Sequence, residues 1–564
     1  MQSGSRTAVS GAVEEHDARE RHRLTLPTRV VVAAAAAFFV TLAWRFLTFT
    51  GFTNDHYAHV GLAQQIMLGE WPIRDFTDPG WPLTYLLSAG AWQLFGSAMA
   101  VEWSLTALAF AVAAACSLVA AYWLSHSVLV ALLVTVAEIV ISPRSYGYPK
   151  LLPYAIAAVL FAALVAKPSR ARVAVVGALA AAAFLLRHDH GLYLGVAGAV
   201  CVAAASRRDG VRVLTARLAT LAVAALVVLL PWILFVAFNG GLSAYFDTSL
   251  EFARREANAT NLRAWPWFQG WASELQSPEN ADAWLFWLFW SLPALCAVLL
   301  TVRSVRGREA WAGETALVAS LVLVAVCANA GFLRDVLRTR FADAIVPAVL
   351  LGAWLLGLCW CSRWSRPGAQ RFIQLISVAV LLATAGAIAA VAETRERIER
   401  TGVTQGLEAM TARVVTVADL LRGPHRQAAS PPSYVSAMLM PFFAYVDRCT
   451  ASEERILVTG EFPDVVVLAG RRFASDGVVM GAWYSSTAHQ GRTVARFDRL
   501  PPLFIVNVDG QTLSRRFPEV DRYAAAHYGA LATITTRGGA VPILLDRRRV
   551  PVATDLETGW PCFR

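Results

Sequence analysis

The sequence predicts a polytopic α-helical membrane protein with a C-terminal α/β domain, and three observations lead to this fold class. The chain is 56% hydrophobic, whereas soluble domains are about 45–50% apolar. Its apolar residues form separate stretches, each near the roughly 20 residues that cross the hydrocarbon core of a bilayer. After Val391 the composition changes to a charged, helix-like segment followed by short β-rich runs. An ordinary soluble enzyme is therefore excluded.

The first apolar stretch is interpreted as a retained span with a cytoplasmic N-terminus. It is too long for a secretory signal, lacks a small-residue cleavage site and follows a basic arm. The predicted domains are a cytoplasmic arm (1–28), a transmembrane domain (29–391) and an exoplasmic α/β domain (392–564). Within the transmembrane domain, residues 49–98 form the first exoplasmic loop, with surface helices, and residues 239–281 form a large later one. Stretches typical of spans include residues 30–48, 101–124, 218–238, 315–332, 342–361 and 372–391.

Arginine-rich connectors set the predicted topology. Four of them, at 167–172, 207–212, 303–308 and 362–371, alternate with connectors of other character. Because positive charge accumulates on cytoplasmic loops, these four are predicted to be cytoplasmic and the alternating ones exoplasmic. The formal net charge of +10 is thereby assigned largely to topology, and nucleic-acid binding is discounted.

The interpretation of the segment 82–95 decides on which side of the membrane the later loops are placed. As a full span it would invert the side of every later loop, but it is short for a crossing. We therefore predict a helix that lies at the membrane surface on the exoplasmic side. This leaves about 11 spans, with the N-terminus inside and the C-terminus outside.

The C-terminal domain is predicted from its short apolar runs. Cys449 and Cys562 are its two cysteines, and they can form a disulfide if the domain lies outside the cytoplasm. The other cysteines fall in or beside spans without metal-ligand spacing. No P-loop or Gly-rich dinucleotide motif is present. Strands are predicted at 455–459, 465–468, 503–508, 532–536 and 541–545, with a helix at 517–528.

Acidic residues just after the first span are the main candidates for chemistry. Asp55, Asp75 and Asp78 lie there, with His56, among aromatic residues suited to a membrane interface. A carboxylate held beside the low-dielectric region can act as a general base. The alternative is that Asp55 caps a surface helix and that Asp78 belongs only to a turn with the Pro and Gly that follow it.

The first loop resembles that of the GT-C glycosyltransferases, in particular the bacterial relatives of protein mannosyltransferases and of lipid A aminoarabinose transferases. The resemblance rests on the acidic motif Phe52-Thr-Asn-Asp-His-Tyr57, on the stretch from Arg74-Asp75-Phe76 to Pro82-Leu83-Thr84-Tyr85, and on the pair Phe95-Gly96. In outline it covers the whole chain, including a C-terminal exoplasmic domain. It implies a GT-C-like fold and sugar transfer from a polyprenyl phosphate donor.

The resemblance also implies roles for the acidic residues. Asp55 matches the catalytic acid of the family's first loop, which acts on the acceptor hydroxyl as general base. The family's usual acidic neighbour is replaced here by His56, which leaves metal binding unsupported, and no cofactor is expected. Asp75 and Asp78 would shape the site or position the acceptor.

Basic and aromatic residues of the later exoplasmic connectors are candidates for binding a sugar or a phosphate. Arginine holds phosphate by charge-assisted hydrogen bonds. The alternatives are interface anchoring by the tyrosines and pairing of the arginines with Asp189, Asp335 and Asp343 or with lipid headgroups. The candidates are Arg144, Tyr146, Tyr148 and Lys150, then Arg187 and His188, and finally Arg334, Arg338 and Arg340.

Two further features have open interpretations. Glu138 lies inside a short span and is a functional candidate by position, although it is close enough to the end of the span to be interfacial. The aromatic residues of the loop 239–281, among them Tyr245 and Trp265, either cover an acceptor groove or belong to an interfacial helix.

The sequence thus predicts an inverting membrane glycosyltransferase, a multi-pass protein of a bacterial cell membrane. Its partners would be a polyprenyl-phosphate-sugar donor, a glycan, lipid or protein acceptor of the envelope, and membrane lipid. One rival interpretation is a transporter or flippase, although the sequence shows no repeated halves with paired broken helices. Another is a non-catalytic envelope scaffold.

Overall fold

The structure is a helical bundle joined to a small C-terminal domain. This computed structural model describes residues 26–141, 150–259, 265–269, 277–305, 312–334, 338–361, 367–423, 433–536 and 539–564. The helices of the N-terminal part, in chain order, are α1 Thr28–Leu47, α2 Asn54–Met67, α3 Pro82–Phe95, α4 Met99–Ser125, α5 Val128–Ile141, α6 Leu151–Ala166, α7 Arg170–Leu186, α8 His188–Ala205, α9 Val211–Asn239, α10 Leu242–Ala259, α11 Pro278–Val305, α12 Ala312–Arg334, α13 Arg338–Asp343, α14 Ile345–Cys361 and α15 Pro367–Val391.

The bundle contains many apolar helices. Among the described residues, α1, α4, α9, α11, α12 and α15 are each long and apolar enough to cross a bilayer. Helices α5, α6 and α14 are apolar but shorter. The predicted fold class, a polytopic helical membrane protein with a C-terminal α/β domain, is confirmed. The number of spans stays a prediction.

The turn between α7 and α8 is tight because small residues allow close approach. A Cβ atom added at Gly191 would lie 2.2 Å from the Cα atom of Phe184, so α8 folds back directly against the end of α7. A Cβ atom at Gly177 would lie 2.3 Å from the carbonyl oxygen of Leu221, so α7 also packs closely on α9. Arg187 is the single non-helical residue between α7 and α8. This turn therefore holds Arg187 and His188 at one end of the bundle.

The first loop contains two helices, α2 and α3. Helix α3 begins with Pro82, whose missing N–H has no intrahelical partner to lose at a first turn, and it ends before Gly96, which has a φ of 83°. Its bounds, Pro82–Phe95, agree with those of the predicted surface helix. Its position relative to a membrane stays a prediction.

The C-terminal domain is an α/β unit reached through a helical connector. Its five-stranded sheet has the order β2-β1-β3-β5-β4, in which β1 pairs in parallel with β2 and β3, and β5 is antiparallel to β3 and β4. The helices are α16 Thr394–Arg400, α17 Leu407–Arg422, α18 Tyr434–Met438, α19 Met440–Cys449, α20 Pro463–Ala469, α21 Thr487–Arg499, α22 Gly510–Arg516 and α23 Pro518–His527. The strands are β1 Arg455–Val458, β2 Arg472–Phe473, β3 Phe504–Val506, β4 Tyr528–Thr536, β5 Gly539–Asp546, β6 Ala553–Thr554 and β7 Pro561–Cys562.

One predicted strand of this domain is wrong. Residues 465–468 belong to α20, not to a strand. Every residue of α20 is buried, so the apolar run reflects burial on all sides and shows no helical period. Pro463 begins the helix, and Gly470 follows it in the left-handed conformation. Prolines and glycines at these two positions are the signals that mark a helix here.

The end of the chain is fastened to α19. Cys449, the last residue of α19, forms a disulfide with Cys562 in β7, and their Cα atoms are 4.4 Å apart. Strands β6 and β7 form a separate two-stranded sheet beside this bond. The pair is the one that the sequence offered as a disulfide candidate.

The first loop and the C-terminal domain share one hydrophobic core. Tyr57 and Val60 of α2 and Phe76 of the following segment are buried in the same cluster as Val467 of α20 and Phe473 of β2. Helix α2 is also held by polar contacts, since the side chain of Gln64 donates to the carbonyl oxygens of Val466 and Arg471 at 3.3 and 3.2 Å. The domain is therefore seated on the first loop.

Candidate functional site

A cavity of about 390 Å³ lies where the bundle, the first loop and the C-terminal domain meet. Segments distant in sequence contribute to it: the start of α2, the turn before α3, the α7–α8 turn, α10 and two loops of the C-terminal domain. Its walls carry acidic, basic and aromatic side chains. Among the described residues they include Asn54, Asp55, His59, Gly80, Trp81, Lys150, Arg187, His188, Asp189, Ser249, Glu461, Trp483 and Tyr484.

Asp55 and Glu461 are two of the carboxylates that line the cavity. Asp55 lies in the first turn of α2, where a negative charge is favoured by the helix dipole. Glu461 lies between β1 and α20, and its carbonyl oxygen accepts a hydrogen bond of 2.7 Å from the side chain of Asn54. Desolvation by surrounding protein, together with the charge of Asp55, raises the pKa of Glu461 against the opposing effect of Arg516. Two carboxylates from distant parts of the chain thus line one cavity.

Two basic residues of the cavity lining are Lys150 and Arg187. Lys150 pairs with Asp343 of α13, and the guanidinium Nε of Arg187 lies 3.0 Å from Asp189 Oδ1. Both cations still line the cavity. Pairing with Asp189 is the alternative that the sequence offered for Arg187, whereas the pair of Lys150 with Asp343 was not predicted.

His59 lies one turn after Asp55 on α2 and lines the same cavity. Burial lowers the pKa of His59 to about 4, the charge of Asp55 acts in the opposite direction, and Arg187 and Lys150 lower it further. Its ring packs on Trp81 with centroids 5.3 Å apart. Its buried Nδ1 atom has no hydrogen-bond partner in the described part of the chain. An imidazole with this pKa is neutral at neutral pH.

His188 is anchored to a buried carboxylate behind the cavity wall. Its Nε2 atom lies 2.9 Å from the hydroxyl of Tyr245, which lies 2.6 Å from Asp78 Oδ2. The hydroxyl of Tyr85 donates to the other oxygen of Asp78 at 3.0 Å. Asp78 is 2% exposed and does not line the cavity itself, whereas His188 does.

Two first-loop candidates from the sequence lie away from the cavity. The ring of His56 is fully buried, stacks on Phe52 with centroids 3.7 Å apart, and has its Nε2 atom 3.6 Å from Glu102. Asp75 accepts hydrogen bonds of 2.8 Å from the Arg74 side chain and from the backbone N–H of Trp71. Direct substrate contact by His56 is not what this geometry supports, and Asp75 holds the loop together.

Several candidates from later connectors are not placed in the cavity. Arg340 lies beside Gly331 of α12, since a Cβ atom there would be 3.5 Å from its Nη1 atom, and it is not among the lining residues. Arg334 and Arg338 lie at the ends of α12 and α13, and their side chains are outside the described part. Arg144, Tyr146 and Tyr148 lie outside the described residues.

Glu138 lies elsewhere in the bundle. It is 2% exposed and lines a separate cavity of about 10 Å³ together with Arg45 and Phe110. This space suits about one water molecule. Glu138 is therefore buried inside the bundle, apart from the larger cavity.

Sequence reasoning missed His59, Glu461 and the aromatic residues Trp81, Trp483 and Tyr484. A signal for His59 was present, because a spacing of four residues places it on the same helix face as Asp55. Glu461 and Trp483 carry no such signal, since their approach to the first loop depends on how the C-terminal domain is seated.

Comparisons with known proteins concern the fold. No protein-family model and no curated protein sequence matches the chain. Among solved structures, the crystal structure of ArnT from Cupriavidus metallidurans bound to undecaprenyl phosphate is similar at 14% identity and a TM-score of 0.47, with 91% of this chain and 97% of that chain covered. ArnT from the same organism in the apo state gives 13% identity and a TM-score of 0.43, with the same coverage. At this identity the matches assign no residue roles.

Proposed function

We propose that the protein is a membrane glycosyltransferase that moves a sugar from a polyprenyl-phosphate donor to an acceptor of the cell envelope. One observation carries the proposal: a single cavity at the end of the bundle is lined both by carboxylates and by cations. Asp55, Lys150 and Arg187 are among its lining residues. A base and a phosphate-binding pair are what such a transfer requires. The resemblance of the first loop to GT-C enzymes supplies the reaction class.

Asp55 acts as the general base in the proposed reaction. The acceptor oxygen forms a bond to the anomeric carbon while its proton passes to the Asp55 carboxylate. The bond between the anomeric carbon and the phosphate oxygen breaks, and its electron pair leaves with the lipid phosphate. Attack opposite the leaving group inverts the anomeric configuration. The leaving group is already a phosphate, so the reaction as proposed uses no nucleotide or other cofactor.

Lys150 and Arg187 hold the phosphate as its charge develops. Arg187 offers planar donors suited to phosphate oxygens, and Lys150 adds a compact charge. Their acidic partners, Asp343 and Asp189, keep the two side chains in place. Their position at the end of α7 and near the start of α6 suits a phosphate whose lipid tail lies alongside the bundle.

The proposed orientation places the cavity on the exoplasmic side of the cell membrane. The connectors predicted to be exoplasmic at 150, 187–189 and 249 all contribute to the cavity, together with the first loop and the C-terminal domain. The connectors at 167–172 and 207–212 meet elsewhere: Arg217 of α9 donates to the carbonyl oxygen of Pro168 at 3.4 Å and pairs with Asp209. Positive charge of this kind favours the cytoplasmic side.

The test is sugar transfer by purified protein. Radiolabelled sugars on polyprenyl phosphate are incubated with envelope extract and with wild type, Asp55→Asn or Asp419→Asn, an exposed carboxylate on α17. We expect Asp55→Asn to lose at least about 100-fold in rate, because it keeps the shape of Asp55 and removes the base, and Asp419→Asn to match wild type. Full activity of Asp55→Asn would exclude the assigned base. No transfer by wild type from any donor would favour a transporter or flippase.

A further inference from the structure

A hydrogen-bonded chain runs from the buried carboxylate of Asp78 to the cavity. It passes from Asp78 Oδ2 through the Tyr245 hydroxyl to His188 Nε2, over contacts of 2.6 and 2.9 Å. Asp78 and Tyr245 are 2% and 6% exposed, so the chain is closed to solvent except at His188, which lines the cavity. A buried carboxylate costs free energy unless it is hydrogen-bonded. The contacts of Tyr85 and Tyr245 with Asp78 lower this cost, and Tyr245 in addition connects Asp78 to His188.

The donors around Asp78 define two protonation states of this chain. A tyrosine hydroxyl has one proton to donate. If Asp78 is ionised, Tyr245 donates to it and must accept from His188, so the ring carries its proton on Nε2 and Nδ1 is an acceptor. If Asp78 is protonated, it donates to Tyr245, which donates to Nε2, so the ring carries its proton on Nδ1. The second state contains one more proton than the first.

We propose that Asp78, Tyr245 and His188 form a proton relay that opens on the cavity. A proton from the cavity binds His188 Nδ1, the Nε2 proton passes to the Tyr245 oxygen, and the Tyr245 proton passes to Asp78 Oδ2. Three bonds to hydrogen form, at His188 Nδ1, at the Tyr245 oxygen and at Asp78 Oδ2. Three bonds break: Nε2–H, the original O–H of Tyr245, and the O–H of the hydroxyl that supplied the proton. The imidazole ends neutral, and the buried carboxylate loses its charge.

The surroundings of His188 suit this role. The ring stacks on Phe184 with centroids 4.2 Å apart, which fixes its plane. A Cβ atom at Gly80 would lie 3.0 Å from Nδ1, so this nitrogen faces the glycine at the cavity wall. The charges of Asp78 and Asp189 act on His188, and Tyr245 is hydrogen-bonded to its Nε2 atom. The other titratable groups that line the cavity are Asp55, His59, Lys150, Arg187, Glu461 and Tyr484.

The relay gives the cavity a proton-exchanging group besides Asp55. Its natural partner is a hydroxyl group of the bound sugar or acceptor, and this part of the inference rests on the proposed function. Asp78 and Tyr245 are positioning residues, since they act through His188. The arrangement of the chain itself does not depend on which reaction the cavity performs.

The first experiment observes the histidine rings of the full-length protein directly. Protein with ¹⁵N-labelled histidine is titrated by NMR in detergent micelles, and the His188 signals are identified by their loss in His188→Gln. We expect wild type to change from the Nε2–H to the Nδ1–H tautomer as the pH falls, without an intervening imidazolium. An imidazolium signal of His188 in the wild-type protein, or an Nδ1–H tautomer at neutral pH, would overturn the proposal.

Two tyrosine variants then test the path of the proton. Tyr245→Phe removes the hydroxyl between Asp78 and His188. Tyr85→Phe removes a hydroxyl that donates to the other carboxylate oxygen of Asp78. We expect Tyr245→Phe to abolish the tautomer change and to produce imidazolium at low pH, and Tyr85→Phe to retain the change. Equal effects of both variants would contradict the path.

Transfer activity provides the second readout. If the proposed function holds, Tyr245→Phe lowers the transfer rate about tenfold or more and changes its pH profile, whereas Tyr85→Phe keeps the shape of the wild-type profile. An unchanged pH profile in Tyr245→Phe would remove the relay from the reaction. A wild type without transfer activity but with the tautomer change would separate failure of the proposed function from failure of the relay.

Discussion

At the scale of single residues, Gly80 controls the geometry of the cavity wall. Its φ is 96°, a conformation that residues with a Cβ atom rarely adopt. Its carbonyl oxygen accepts a hydrogen bond of 3.2 Å from the backbone N–H of His188. The turn after Asp78 therefore joins the first loop to the α7–α8 turn, and a side chain at this position would meet the ring of His188.

Replacing Gly80 tests this contact. We expect Gly80→Ala to lower the free energy of unfolding by about 1–3 kcal/mol, because the new Cβ is strained at this φ and crowds His188. The matched control is Gly90→Ala in α3, where a Cβ atom has open space and a helix gains about 0.5–1 kcal/mol from the change. Thermal unfolding of both variants in detergent measures the effects. Equal stability of the two would show that the turn has no such constraint.

Residue-scale prediction rested on local signals. The resemblance of the first loop to GT-C enzymes pointed to Asp55, which lines the cavity, and its role as a base stays a prediction. His56, its neighbour in the same motif, turns into the protein interior because adjacent residues of a helix point in different directions. The sequence motif therefore identified the segment. Which of its side chains line the cavity, Asp55 and His59, depends on the orientation of the helix about its axis.

At the scale of elements, a buried ionic cluster holds the C-terminal domain to the first loop. Glu70, which follows α2, pairs with Arg455 of β1 and Arg496 of α21 and also accepts from Gln65. All three charged side chains are less than 10% exposed. Burial alone would raise the pKa of Glu70, but the hydrogen bond from Arg455 and the charges of Arg496 and Arg455 outweigh it, so its pKa is lowered.

The cluster predicts a dependence of stability on pH. A lowered folded-state pKa means that the contribution of Glu70 is complete above about pH 4.3, the value for an unfolded glutamate. It is lost as the pH falls from there through the lower folded-state pKa. We expect Glu70→Ala to lower the free energy of unfolding by about 3–5 kcal/mol, since it leaves two buried arginines unpaired, and to flatten the acid limb of the stability curve.

The control for this measurement is Glu453→Ala, an exposed carboxylate before β1. Surface changes of this kind stay within about 0.5 kcal/mol. Unfolding of both variants is followed by circular dichroism between pH 3 and 7, the range that contains the ordinary carboxylate pKa of about 4. A Glu70→Ala protein with the acid sensitivity of wild type would place the titrating group elsewhere.

The prediction of secondary structure failed where burial on all sides removed the helical periodicity of the apolar residues. The runs that became β1, β3, β4 and β5 were assigned correctly, because each is a short apolar segment between turns. The equally apolar residues 465–468 became part of α20, since a helix buried on all faces has no polar side to mark it. The arrangement around the run, not its composition, decided its conformation.

At the scale of the whole molecule, the C-terminal domain is completed by the first loop. Their buried side chains form one cluster, and a Cβ atom at Gly61 of α2 would lie 2.6 Å from Val478 Cγ2, so the two surfaces approach very closely. The backbone N–H of Met99 donates to the carbonyl oxygen of Gly423 at 3.1 Å. This contact brings the end of the first loop to the end of α17, the helix that precedes the rest of the C-terminal domain.

This shared core predicts that the domain depends on the loop for stability. We expect residues 423–564 expressed alone to unfold at a lower temperature and to bind hydrophobic dyes, because Phe473 and Val467 lose their cover. Residues 49–98 joined to 423–564, as the neighbouring backbones at 99 and 423 allow, should restore cooperative unfolding at a higher temperature. Thermal unfolding compares the two, and equal midpoints would mean that the domain has a complete core of its own.

The sequence by itself determined the membrane class, the apolar helices and the C-terminal α/β domain. Apolar length, charge asymmetry and turn residues are local properties, and they can be recognised without knowing which elements pack together. The tertiary structure alone decided which residues meet in the cavity. Glu461 reaches Asn54 across some 400 positions, and Asp78 reaches His188 through Tyr245, because the close packing of two domains sets these distances and no local pattern encodes them.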